Sequence, residues 1–395
     1  MQSETPSAFT QEKAPVNWPA ALIFAGTFAV TVSLVPLYGY YFGYDAVEWF
    51  AFIVMLALCG FSITAGYHRL WSHKTYEAHI AVRYFWAFWG ACSLQNTILA
   101  WSSGHRRHHR HVDSEEKDPY SIRRGFWFAH MGWMLRNYKS GEVDLSNVAD
   151  LQRDPVVMWQ QRHYAKLVLI SNVGVPVALG LLNGDVLGMF LLAGFLRLVI
   201  SHHVTFFINS LCHMWGRQPY TDTNTARDNP LLALVTYGEG YHNFHHFFQT
   251  DYRNGVRWWQ FDPTKWIIFG MSWVGLTTNL KRVPDFKIQE AVVNMQFKCA
   301  NDRLKRAPFP NMEGVHELLE KEYQQFMDTL AEWKRLRIEW YEDKRKVLVD
   351  TKEAWQGRFQ QAAVKYRIKE VEYMLKMQQK RLNVLLSGFG QAQPA

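Results

Sequence analysis

The sequence predicts an all-α membrane protein: four transmembrane helices in two hairpins under a cytoplasmic helical cap, followed by a C-terminal helical extension. Three observations predict it. Four apolar runs carry almost no charge. The basic residues between the two hairpins crowd onto one segment. A long tract near the C-terminus lacks proline and mixes charges of both signs.

Residues 1–16 read as a polar tail with no basic, cleavable leader. A membrane-crossing helix needs roughly 20 mostly apolar residues. Residues 17–44 carry no charge, and Pro19 suits a helix start. Residues 49–66 form a second uncharged run, separated from the first only by Asp45 and Glu48, so the two make a tight hairpin. The pattern repeats with 167–182, the turn signal Asn183-Gly184-Asp185, and 187–208, which holds Arg197. That arginine is expected either to snorkel or to pair with a buried carbonyl. Residues 80–101 and 266–280 are apolar but interrupted or short, and read as interfacial or buried helices rather than spans.

The short hairpin turns contain no Lys or Arg, whereas residues 67–164 contain 13. The positive-inside rule makes that segment cytoplasmic, and an even number of spans returns both termini to the same side. Formal charge is +8, mostly on residues 1–310. That excess fits ordinary positive-inside bias, an anionic lipid surface or an anionic headgroup. Cys59, Cys92, Cys212 and Cys299 are scattered without a C-x-x-C spacing, as expected for free thiols in a reducing compartment. No nucleic-acid partner is expected.

Of the 16 histidines, nine fall into groups: His68 and His73; His105, His108 and His109; His213; and His242, His245 and His246. Offsets of three and four turn an α-helix by about 300° and 400°, so each H-x-x-H-H trio lies on one face and suggests imidazoles aimed at one metal. The offset of five between His68 and His73 turns it about 140°, so these two converge only if the helix ends or bends. All four groups lie on one membrane side in the predicted topology. Nine imidazoles exceed the needs of one ion, so the cap is expected to hold a di-metal site. The absence of cysteine from the clusters favours a redox pair, iron by preference, with positions open to dioxygen. His79, His130, His163 and His316 are expected as surface or packing residues. His111 should face elsewhere, and His202 and His203 should at most support the ligands.

These residues resemble the integral-membrane fatty acid desaturase family, in its acyl-CoA delta-9 (stearoyl-CoA) branch of bacterial type. The resemblance rests on Gly66-Tyr-His-Arg-Leu-Trp-Ser-His73, Gln95-Asn-Thr-Ile-Leu-Ala-Trp101, Asp118-Pro119, Arg123-Arg-Gly-Phe126, His130-Met-Gly-Trp-Met-Leu135, Asn209-Ser-Leu-Cys-His213 and Gly238-Glu-Gly-Tyr-His-Asn-Phe-His-His246. It implies two Fe ions held by the nine histidines, with Asn209 reaching a metal through water and dioxygen as co-substrate. It also implies a bent acyl tunnel with Asn96 at its mouth and Trp101 in its wall. Arg123 and Arg124 become candidate phosphate contacts. One departure is Ser103-Gly104, where animal acyl-CoA enzymes carry an Arg-Asp pair near the coenzyme A headgroup. The expected substrate is a long-chain acyl-CoA or an acyl group on another carrier. The expected localisation is a bacterial cytoplasmic membrane. The chain has no haem motif, cysteine cluster or dinucleotide fingerprint, so electrons should come from a separate electron-transfer protein and its reductase. Two rival readings are a histidine-rich membrane di-iron hydroxylase and a non-enzymatic metal-binding membrane protein.

The domain division expected is a tail 1–16, a desaturase membrane and cap domain 17–285, a linker 286–310 and a helical extension 311–390. Leu319, Tyr323, Phe326, Leu330, Trp333 and Trp340 sit at heptad a and d positions, but Arg337 and Lys344 break the pattern. The extension should therefore be a helical hairpin folded against the cap rather than a long coiled coil, with dimerisation and partner docking as alternatives.

Overall fold

A computed structural model describes residues 14–306, 312–347 and 354–391. It divides into two units, one of residues 1–218 and 223–282, the other of 219–222 and 283–395.

In the first unit, helices α1 (Trp18–Tyr41) and α2 (Ala46–Ser72) form one hairpin. Helix α3 (Ile80–Cys92) and helix α4 (Ile98–His111) follow, with 13 and 14 residues each too short for a span. Helices α5 (Pro155–Asn183) and α6 (Val186–His213) form the second hairpin, so among the described residues four helices are long and apolar enough to span a bilayer. Leu22, Phe28, Val32 and Leu37 on α1, and Leu169, Leu181 and Leu182 on α5, are exposed, as side chains facing lipid are. The hairpin tips are tied together. Asp45 caps α2 in a reciprocal box with Glu48, and its Oδ2 accepts from Asn183 at 2.8 Å. Tyr38 donates to Asp185 at 2.6 Å.

Arg197, left open from sequence, is fully buried in α6. It donates to the carbonyls of Ala193 and Cys92 and to Asn172 Oδ1, each at 2.9 Å. Satisfying these donors inside the bundle stitches α6 to α3 and α5.

Short helices α7 (Pro230–Val235), α8 (His242–Phe247) and α9 (Pro263–Trp273) complete this unit. A two-residue ladder pairs β1 (Glu77–Ala78) with β2 (Thr277–Thr278) and joins the α2–α3 connection to the segment after α9. The backbone from 62 to 72 is π-helical, and His73 N–H donates to His68 O at 3.1 Å. An i→i+5 turn brings residues five apart onto one face, which resolves the 140° divergence expected of an α-helix.

The second unit contains α10 (Asp285–Arg306), α11 (Met312–Val347) and α12 (Ala354–Gln391). Most of the stretch expected as a linker is thus the helix α10. Val293 and Ala300 of α10, Leu319, Phe326, Leu330 and Trp333 of α11, and Ile368, Val371 and Leu375 of α12 share one core. The heptad positions found in the sequence are the core face of α11. Between Trp333 and Trp340 the repeat is broken at Arg337, whose guanidinium pairs with Glu372 at 3.3 Å instead of entering the core.

Candidate metal centre and acyl cavity

The nine histidines sort into two groups. His68, His73, His105, His109 and His245 form one; His108, His213, His242 and His246 form the other. Within each, one ligand atom per residue lies within 4.8 Å of all the rest. The sorting differs from the expectation that each trio serves one metal. On α4, His105 and His109 face one centre while His108 between them faces the other. On α8, His242 and His246 face the second centre and His245 the first. An offset of four keeps a helical residue on the same side, and an offset of three swings it to the other edge, so two trios interleave between two centres.

The geometry fits cations. Nε2 atoms point inward at each other: His73 to His105 at 2.8 Å, His68 to His245 and His245 to His109 at 3.0 Å. In the second group His242 faces His213 and His246 at 3.1 Å each, and His108 faces His246 at 3.3 Å. Burial first, then neighbouring imidazoles, pushes His73, His105, His109, His242, His245 and His246 well below the ordinary histidine value. Neutral rings that face each other through several shared Nε2 atoms cannot all find a proton to share, and their lone pairs repel. A cation amid each group turns that repulsion into bonding. Nitrogens bound at about 2.1 Å and at right angles sit about 3.0 Å apart, as these do.

Outer partners fix the rings. His108 Nδ1 donates to Asp118 Oδ1 at 2.9 Å. His213 Nδ1 donates to Thr225 Oγ1 at 2.8 Å, and that hydroxyl donates to Asp113 Oδ1 at 2.6 Å. His68 Nδ1 lies 3.0 Å from Glu239 Oε2. Such partners set the tautomer so that Nε2 is left for a metal. Glu239 also accepts from Arg69 at 2.8 Å, and Arg69 donates to Asp262 at 3.0 Å, an ion-pair network buried from solvent. Burial alone would raise the Glu239 carboxyl, but His68 and Arg69 outweigh it and hold it at about 2. The glycines of the Gly238-Glu-Gly stretch permit this placement. A Cβ at Gly238, where φ is +97°, would lie 2.5 Å from Asp262 Oδ1, and one at Gly240 would lie 2.2 Å from Ala233 N. Sequence reading missed Asp113, Asp118, Thr225 and Glu239 as functional residues. Asp118 and Glu239 lie in stretches noted for resemblance, whereas nothing local marks Asp113 or Thr225.

A cavity of about 500 Å³ borders both groups, with His68 and His105 of the first and His108 and His242 of the second in its wall. Ile23, Phe24, Ile63, Trp101 and Phe206 supply apolar lining. Asn96 and Trp101, expected at the substrate, line this cavity, as does Asn209, expected to reach a metal through water. Trp101 stacks on His105 with ring centroids 4.9 Å apart. Arg123 and Arg124 are not among the lining residues. Arg124 instead lies over the Phe128 ring at 3.6 Å and the Tyr138 ring at 4.4 Å, behind the wall to which Tyr138 belongs. The cationic lining residues are Arg107 and Arg136. Gly104 also lines the cavity, and a Cβ there would meet only open space, while Ser103 is turned away to donate to the Asp144 carbonyl. Of the histidines expected to pack, His130 is buried between Ser210 and His203, each at 3.0 Å. His202 donates to the Ser93 carbonyl at 2.9 Å.

A helical chain with four helices able to span a bilayer, and two buried histidine groups able to hold metal ions beside one largely apolar cavity, defines a class of multi-pass membrane protein. The fatty acid desaturase family model matches residues 47–272, and the chain belongs to that family. It is 47% identical over 247 residues to a probable acyl-CoA desaturase of Schizosaccharomyces pombe, covering 62% of this chain and 51% of the relative. It is 40% identical over 308 residues to acyl-CoA desaturase 1 of Saccharomyces cerevisiae, covering 76% and 59%. Against human stearoyl-CoA desaturase 5 it is 38% identical over 239 residues, covering 59% and 72%. The chain thus spans between a half and three-fifths of the two fungal relatives.

Proposed function

We propose that this protein is an oxygen-dependent desaturase that places a cis double bond, at the delta-9 position, in a saturated long-chain acyl-CoA. The observation that carries the reading is the shared wall: one apolar cavity touches histidines of both cages. The two cages are assigned to two irons, His68, His73, His105, His109 and His245 to one and His108, His213, His242 and His246 to the other. Asn209, in the same cavity wall as His108 and His242, is assigned as a ligand through water. When bound, iron with dioxygen supplies an oxidant able to break an unactivated methylene C–H bond, which lies beyond side-chain acid–base chemistry.

The chain's own residues supply orientation and dryness. Trp101 stacks over His105 and presents its ring as part of the cavity wall, holding the acyl chain against the metal-facing side. Ile63 and Phe206 exclude water there, and Asn96 and Gln95 offer polar groups along the wall. Arg107 and Arg136 suit the anionic end of an acyl-CoA, with Arg123 and Arg124 as further phosphate contacts from behind the wall. Overall, two hydrogens leave adjacent carbons as a double bond forms. Dioxygen takes up these two hydrogens, two electrons and two protons, giving two waters. The electrons come from a separate carrier and its reductase, which a basic cap on the cytoplasmic side would attract. Both termini then lie on that side, in a bacterial cytoplasmic membrane. Residues 17–285 form the catalytic domain.

Expression in a desaturase-deficient host fed labelled stearate tests the proposal. The expected product is oleate, identified by mass spectrometry with its double-bond position. Hydroxystearate without oleate would make the chain a hydroxylase. Purified protein holding one zinc and no iron, from cells replete in iron, would favour a metal-binding role instead.

A further inference from the structure

We infer that α12 carries a second apolar face that lies on an anionic lipid surface. One face of the helix is spent on the core of its own unit, through Ile368, Val371 and Leu375. On the opposite side Tyr366, Tyr373 and Val384 are 75%, 65% and 69% exposed, and Met377 is 38% exposed. At 100° per residue these four fall within an arc of about 40° and run along about 27 Å of helix. A soluble helix has no use for such a stripe on its outer side.

The charges beside the stripe select its occupant. Lys365, Lys369, Lys376 and Lys380 fall in the adjacent arc, about 60° wide, along one flank. Nearby carboxylates are already taken by arginines: Glu332 and Glu370 by Arg367, Glu372 by Arg337, and Glu322 by Arg381. The four lysines therefore have no carboxylate within ion-pair distance among the described residues. A row of tyrosine, methionine and valine flanked by flexible lysines matches the interface of an anionic bilayer. The rings and aliphatic chains enter the headgroup boundary while the ammonium groups rise to the phosphates. An acidic protein would meet the same charge. Tyrosine serves protein hot spots too, but with no tryptophan or unpaired arginine on it, this straight, narrow stripe flanked by a lysine row is the pattern of an interfacial helix. An antiparallel second copy of this face would bring lysine row toward lysine row, and a parallel one would set the lysines against the flank of Arg367 and Arg381. The chain's four spans also keep a bilayer always at hand, so a weak surface contact suffices.

The test uses the full chain in lipid nanodiscs. Cys299 is the exposed cysteine and Cys59, Cys92 and Cys212 are buried, so Cys299→Ser with Met377→Cys gives one site for an environment-sensitive fluorophore. Discs are made of phosphatidylcholine alone or with about a third phosphatidylglycerol. The expected result is a blue-shifted, quencher-protected emission in anionic discs only, reversed by high salt. Replacing the four lysines with glutamate should abolish the shift while far-ultraviolet circular dichroism stays unchanged. Emission that is exposed in both lipids overturns the inference and returns the face to an acidic protein. Emission that is protected equally in both overturns it in favour of cover by the chain itself or a second copy. A shift that survives the lysine replacement, or high salt, also overturns it.

Discussion

Asp118→Asn isolates the role of a residue that lies outside both histidine groups. Its carboxylate is buried and takes three donors: His108 Nδ1–H at 2.9 Å, and the backbone N–H groups of Tyr120 and Asp113 at 3.1 Å each. Asparagine has the same shape, yet neither orientation of its amide works. With the amide oxygen toward His108, the NH₂ group faces the Asp113 N–H, donor against donor, at a cost of about 1–3 kcal/mol. With the amide reversed, NH₂ faces His108 Nδ1 and forces the proton to Nε2, the atom that must stay free for a metal. Changes of this kind lower metal affinity about 10–100-fold, equivalent to about 1.4–2.7 kcal/mol. The assay is metal per chain by mass spectrometry after purification from iron-supplemented cells, with the thermal unfolding midpoint measured alongside. Iron content should fall by about half, since one cage of the two is addressed, and oleate formation should fall with it. A variant that keeps full iron and full activity would refute the claim that Asp118 sets the His108 tautomer.

Three further outcomes are expected. His245→Ala, which removes a ligand facing two cage partners at 3.0 Å, should abolish oleate without preventing membrane insertion, checked by product analysis and membrane fractionation. Arg69→Met should destabilise the first unit by about 3–5 kcal/mol, because it leaves Glu239 and Asp262 buried without their cation; denaturant unfolding in detergent measures it. Burial alone would raise the Asp150 carboxyl, but hydrogen bonds from Arg106 and Lys74 outweigh it and hold it well below its ordinary value. Its contribution to stability should therefore be present above about pH 4 and be lost as pH falls through the depressed value. An Asp150→Asn variant should lose that acid dependence in unfolding midpoints measured against pH.

Much of the candidate site was legible in one dimension because its side chains are all of one rare kind and lie in short clusters. The four spans were legible because lipid accepts only long uncharged helices, and their charge-poor turns stand out. That residues 80–101 stay out of the set of spans followed from Arg83, Gln95 and Asn96 in an otherwise apolar run. The heptad positions of α11 gave its core face for the same reason of periodicity.

What the sequence by itself determined was the chemistry: which side chains gather, on how many spans, and the family they belong to. The tertiary structure decided how those side chains are shared. It closed the gap between His68 and His73 with π-helical turns, and it split both H-x-x-H-H trios between two cages. It brought Asp118, Glu239 and the Asp113–Thr225 pair behind the rings, and it placed Arg107 and Arg136 rather than Arg123 and Arg124 on the cavity wall. The physical reason is that a ligand's identity is a property of one residue, whereas its direction and its hydrogen-bond partner depend on backbone geometry and on elements up to 177 residues away, as for His68 and His245.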